Sequence, residues 1–147
     1  EMIKTGIKKA QIVARFEKIP VGDKTIVLDV AHNPEAVKTL VNTLSESPME
    51  TVAIFSALAD KNIDDMIELA SDTIKHWFLV PISAERAIQI EALENKFSKS
   101  QVTTVCLNMD NAIEKALALV NIKRIVIFGS FYTIADAAKF LKESEYY

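Results

Sequence analysis

The stretch Thr25-Ile26-Val27-Leu28-Asp29-Val30-Ala31-His32-Asn33-Pro34 carries the information from which the fold is read. A short apolar, β-branched run suits a strand covered on both faces, and it stops at small and polar residues. Asn33 is a good N-cap, and Pro34 is pre-set for the first position of a helix. Ala36, Val37, Leu40, Val41 and Leu44 then share one helical face, and residues 45–48 close the helix. The stretch is therefore a strand passing directly into a helix.

Four more such units lie downstream. The run 51–55 precedes a loop at 56–60 and a helix with Ile63, Met66, Ile67 and Ala70 on its apolar face. The run 77–80 stops at Pro81 and predicts a helix from 84 to 97, while the run 102–107 leads to a helix capped by Asn108 or Asp110 and reaching 120. The run 124–128 ends at Gly129-Ser130 and passes into a helix extending to 142. Strands alternating with helices this long pair in parallel through right-handed crossovers. The expected fold is an open, doubly wound, mostly parallel α/β sheet of Rossmann-like type, with helices on both faces. Residues 11–20 have β character and can add an edge strand, antiparallel as one option. No linker divides the chain, so residues 1–147 are read as one domain.

Composition narrows the function classes. The chain has 147 residues, 50% hydrophobic and 25% charged, with a net charge of −3 and a single cysteine, Cys106. Disulfide scaffolds, collagen-like repeats and disordered tails are excluded. No Lys/Arg stripe marks a nucleic-acid partner, and no apolar run approaches the length that spans a bilayer. One cysteine and no signal-peptide pattern point to a reducing compartment, the cytoplasm. Two histidines without paired carboxylates give no metal-binding spacing. The three glycines, Gly6, Gly22 and Gly129, cannot be arranged as G-x-x-x-x-G-K-[ST] or as G-x-G-x-x-G, so neither glycine-rich phosphate cradle is present. Residue 1 is glutamate, and either trimming or a longer parent chain accounts for it.

Ligands in doubly wound sheets bind beyond the carboxyl ends of the strands, so the residues just after each run are the candidates. Asp29, at the end of the first, can accept from a vicinal diol or from amides of its own turn. His32 can orient an anion, exchange a proton near neutral pH, or cap the turn. Asn33 is explained by capping alone. Asp60-Lys61 offers either a point charge for a carboxylate or phosphate or a solvated pair. Ser130 stands at a helix N-terminus that favours anions or is simply its N-cap. Ser56, Ser83, Glu85, Arg86, Tyr132 and Thr133 complete a mixed polar rim, and Arg15 lies upstream in the edge segment. Trp77 and Cys106 read as core residues.

Four strings in order resemble one family. Leu28-Asp29-Val30-Ala31-His32-Asn33-Pro34 is similar to the L-D-x-A-H-N-P signature of folylpolyglutamate synthases and bifunctional dihydrofolate synthases, ADP-forming amide ligases related to the Mur ligases. Arg15-Phe16-Glu17 resembles P-G-R-F-E, and Phe55-Ser56-Ala57-Leu58-Ala59-Asp60-Lys61-Asn62 resembles F-G-A-L-x-D-K-D. Phe128-Gly129-Ser130-Phe131-Tyr132-Thr133 resembles the final G-S-F-x-T. Three positions depart from the pattern: Ala14 and Ser56 stand where glycine is common, and Asn62 where aspartate is.

The resemblance implies a C-terminal α/β domain cut from a longer, monomeric ligase, whose N-terminal ATPase domain supplies the P-loop and the ligands for Mg2+. The implied partners are that domain, ATP, L-glutamate and dihydropteroate or folate. It also implies that Asp29 holds the ATP ribose, Arg15 reaches the nucleotide, and Asn33 shapes the turn. His32 would lie by the reacting centre, with Lys61 and Ser130 on the carboxylates of glutamate. Two other classes compete. A receiver-like module needs an acceptor after its third strand, where this chain has Pro81-Ile82-Ser83. A stand-alone nucleotide-binding enzyme would rely on Asp29 and helix N-termini.

Overall fold

The computed structural model describes residues 14–146. Its elements are β1 (Glu17–Val21), β2 (Lys24–Leu28), α1 (Pro34–Ser45), β3 (Thr51–Phe55), α2 (Ile63–Ala70), β4 (Trp77–Leu79), α3 (Ile90–Glu94), β5 (Thr103–Val105), α4 (Met109–Leu117), β6 (Arg124–Phe128) and α5 (Phe131–Glu143). Four helices begin where a polar side chain satisfies a first-turn amide. Asn33 accepts from Ala36 N–H at 2.8 Å, Asn62 from Asp65 N–H at 3.4 Å, Asn108 from Asn111 N–H at 2.8 Å and Ser130 from Thr133 N–H at 3.0 Å.

The six strands form one sheet in the order β1-β2-β6-β3-β4-β5. β1 is antiparallel to β2, and every other pair is parallel. Successive side chains along each strand point to opposite faces, which gives two cores. Ile26, Leu28, Val52, Ile54, Ile125 and Ile127 pack with residues of α4 and α5. Val27, Ala53, Phe55, Val126 and Phe128 pack with α1, α2 and α3. Trp77 is buried in the second core, where its ring meets Phe97, Phe55 and Phe128 at centroid distances of 5.0, 5.4 and 6.0 Å. Cys106 is buried in the first, and burial pushes its thiol up, away from the reactive thiolate.

This topology positions the site. The helix after β2 lies on one face and the helix after β6 on the other, although β2 and β6 are neighbours. Their carboxyl ends therefore open a crevice at a topological switch point. The amino edge of the sheet is sealed instead. Lys24 is buried and donates to Leu119 O at 2.7 Å and Ile122 O at 2.9 Å. Buried Arg124 donates to Thr51 Oγ1, Ser47 O and Leu44 O at 3.0, 3.0 and 3.1 Å, closing the C-terminal end of α1 with a cation.

The edge strand is antiparallel and lies at Glu17–Val21, later than residues 11–20; residues 11–13 fall outside the described part. The helix expected over 84–97 is confined to Ile90–Glu94. Residues before it pair with the loop after β3 instead. Ala59 N–H donates to Arg86 O at 2.7 Å and Ile88 N–H to Ala57 O at 3.0 Å, around an antiparallel bridge between Leu58 and Ala87. Those bonds engage backbone groups that an earlier helical turn would need. The fourth run contributes only Thr103–Val105, and its helix ends at Leu117 rather than 120.

Candidate functional site

A cavity of about 530 Å³ opens at the crevice and is lined by Arg15, Phe16, Asp29, His32, Asn33 and Phe131 among others. Asp29 follows directly on the end of β2 and is half-buried. Its Oδ1 accepts from Ala31 N–H at 2.9 Å and its Oδ2 from Phe16 N–H at 3.0 Å. Both expected uses of this carboxylate remain open physically, because each carboxylate oxygen accepts more than one hydrogen bond. Burial pushes the Asp29 carboxyl above its usual range, while the two amides and the charge of Arg15 pull it back.

His32 sits in the turn, with Nδ1 3.0 Å from Val30 O. A carbonyl only accepts, so Nδ1 carries the hydrogen, and in the neutral ring Nε2 keeps its lone pair. The imidazole lies 5.6 Å from the Phe131 ring, inclined at 39°. Phe131 is 50% exposed and covers one side of the histidine at the mouth of the cavity. Asn33 is exposed, with its Oδ1 on the α1 amide already described.

Lys61 and Ser130 do not line this cavity. Lys61 rises from the loop after β3, two strands from β2. Its neighbour Asp60 pairs with Arg86 rather than with it, and among the described residues no ion pair or side-chain hydrogen bond engages the Lys61 amine. Ser130 is 3% exposed, and its hydroxyl is shared with Thr133. Thr133 and Ser56 are fully buried, and Thr133 Oγ1 donates to Ser56 O at 3.2 Å. Part of the expected polar rim therefore builds turns.

Two aromatic residues of the cavity, Phe16 and Phe131, were not among the candidates. Both adjoin ones that were, Arg15 and Ser130, and both stand inside the family strings, which is the signal that points to them. Gly129 fixes the approach of β6 to β3. Its φ is +127°, and a Cβ there would stand 1.7 Å from Ser56 O. Its N–H donates to Ala31 O at 3.0 Å, which ties the turn after β6 to the turn carrying His32.

An open α/β sheet with Asp29, His32 and Arg15 around one crevice at its switch point is the arrangement of a doubly wound α/β domain. The chain belongs to the Mur ligase glutamate ligase domain family, whose model matches residues 14–131. It is 32% identical over 139 residues to the dihydrofolate synthase/folylpolyglutamate synthase of Buchnera aphidicola subsp. Acyrthosiphon pisum, covering 92% of this chain and 33% of that protein. It shares its fold with Escherichia coli FolC in complex with DHPP and ADP, at TM-score 0.81 and 21% identity over 90% of this chain and 32% of that one. A bifunctional folylpolyglutamate synthase/dihydrofolate synthase with Mn, AMPPNP and L-glutamate bound aligns at TM-score 0.76 and 26% identity, covering 88% and 31% of the two chains. The chain thus spans about a third of the length of the relatives it matches.

Proposed function

We propose that this chain is the C-terminal domain of an ATP-dependent ligase that joins L-glutamate to dihydropteroate, to folate polyglutamates or to both. The observation that carries the reading is the convergence of Arg15, Asp29 and His32 on one cavity at the switch point. The four family strings and the relatives named above support the same chemistry.

In this reaction ATP transfers its γ-phosphoryl group to the pterin substrate's carboxylate, giving an acyl phosphate and ADP. The glutamate amine attacks the acyl carbon, and phosphate leaves from the tetrahedral intermediate as the amide forms. Such catalysis consists largely of positioning and charge stabilisation. Asp29 accepts from the ribose hydroxyls through its remaining lone pairs, and Arg15 meets the nucleotide's negative charge. His32 Nε2, free to accept because Nδ1 is held by Val30 O, takes a proton from the glutamate ammonium and frees its amine. Lys61 draws a glutamate carboxylate to the end of β3. Ser130, with its hydroxyl turned inward, acts by holding the first turn of α5 beside that ligand.

No group of three or more His, Cys, Asp or Glu side chains able to hold a metal occurs among the described residues. On the family resemblance, magnesium binding and the P-loop are assigned to the N-terminal ATPase domain, the main partner of this one. The reducing cytoplasm is the assigned compartment, supported by the lone, buried Cys106. Alanine at His32 in the whole ligase tests the reading. General-base loss lowers turnover by about 10²-fold or more, and turnover within twofold of the native enzyme removes His32 from the reaction.

A further inference from the structure

Arg15 stands between two anchored residues. Ala14 is buried in the core under α4 and α5, and its carbonyl accepts from Val30 N–H at 3.0 Å. Phe16 packs its ring against the opposite core, under α1. The chain reverses there with Phe16 at φ +51°, a left-handed conformation that a bulky side chain adopts only when its surroundings hold it. Besides that packing, a charge-assisted bond holds it, from Phe16 N–H to Asp29 Oδ2 at 3.0 Å. The other oxygen of the same carboxylate accepts from Ala31 N–H, one residue before His32. A single side chain therefore fastens both walls of the cavity, the Arg15-Phe16 arm and the Ala31-His32 turn.

We propose that Asp29 is a positioning residue for Arg15: its carboxylate sets the arm that aims the guanidinium at the nucleotide, besides any contact it makes with ribose. This rests on the nucleotide reading of the cavity and adds a dependence between two residues that the reading treats as separate. An Asp29→Asn side chain can still bond a ribose hydroxyl. Its NH2 group, however, takes the place of one carboxylate oxygen and faces an N–H donor there, so the two positions that now receive Phe16 N–H and Ala31 N–H cannot both accept. The Ala31 N–H, two residues on in the same turn and at 2.9 Å, keeps the remaining oxygen, so the arm loses the bond that offsets its left-handed residue and Arg15 loses its aim into the cavity.

The test is a double-mutant cycle in the whole ligase, reading KM for ATP, kcat and the hydrogen exchange of the Phe16 amide. Arg15→Ala and Asp29→Asn alone each raise KM for ATP roughly tenfold, about 1.4 kcal/mol. Together they raise it no further than Asp29→Asn does alone. The Asp29→Asn penalty persists with 2′,3′-dideoxy-ATP, which has no ribose diol to contact, and Phe16 loses its exchange protection. Multiplying effects, a penalty that vanishes with the dideoxy nucleotide, or unchanged Phe16 protection would each overturn the proposal. If Arg15→Ala leaves KM for ATP unchanged while Phe16 protection still depends on Asp29, the nucleotide reading of Arg15 fails and the tether to its arm stands.

Discussion

Replacing Gly129 by alanine separates two costs that this structure assigns to one position. At φ +127° an L-residue is strained, a cost of about 1–3 kcal/mol. The added Cβ would also lie 1.7 Å from Ser56 O and 2.9 Å from Ser56 C. Both are backbone atoms at the end of a fully buried strand, so relief requires β6 and β3 to part rather than a side chain to turn. Overpacking of this kind costs a further ~1–3 kcal/mol. The sum, roughly 2–6 kcal/mol, is a large share of the ~5–15 kcal/mol available to a domain. It corresponds to a melting-temperature loss of roughly 4–24 °C at about 2–4 °C per kcal/mol. Gly22→Ala is the control, because Gly22 is also left-handed, at φ +63°, but has no atom within 4 Å of the added carbon. Thermal unfolding of the two variants should show Gly129→Ala clearly less stable than Gly22→Ala. Equal losses would refute the close approach of β6 to the Ser56 carbonyl, and with it the stated geometry of the crevice floor.

Lys61→Ala in the whole ligase should raise KM for glutamate about fivefold or more with kcat and melting temperature little changed, since among the described residues its amine has no ion-pair or hydrogen-bond partner; an unchanged KM would remove it from the glutamate site. Asn33→Ala should cost ~1 kcal/mol in thermal unfolding through loss of the α1 cap, and Asn33→Asp should recover that stability while the alanine variant does not. Asp136 is held above the usual carboxylate range chiefly by burial, with Asp110 adding to the shift and Lys139 and the Ser83 amide opposing it. The native state therefore binds this proton more tightly than the unfolded chain. Its stability falls as pH rises from about 4, the unfolded value, through the raised native value. Asp136→Asn should therefore melt higher than the native chain at pH 7 and lose that advantage below pH ~4; a pH-independent difference would contradict the assignment.

The parallel sheet was legible because β2, β3 and β6 are uninterrupted apolar runs and their following helices begin with Asn or Ser caps. The helix expected at 84–97 was not, because its start is decided by pairing with residues 57–59, a contact far away in the chain. Arg15, Asp29 and His32 could be named from their place after a strand or within a family string. That Asp29 joins the other two arms was invisible, since it depends on a left-handed Phe16 and on the approach of a preceding hairpin. Ser130 shows the converse. A serine at a helix start reads equally as a ligand contact or a cap, and only its burial against Thr133 reveals where the hydroxyl is spent.

We propose that this domain brings the nucleotide and glutamate contacts while another domain brings the phosphate cradle. Glutamate-dependent ADP release, measured with dihydropteroate or folate as acceptor, tests it for the chain alone and for the chain joined to its ATPase domain. The chain alone should show no ligation and the joined enzyme full ligation. Robust ATP-dependent ligation by these 147 residues alone would contradict it.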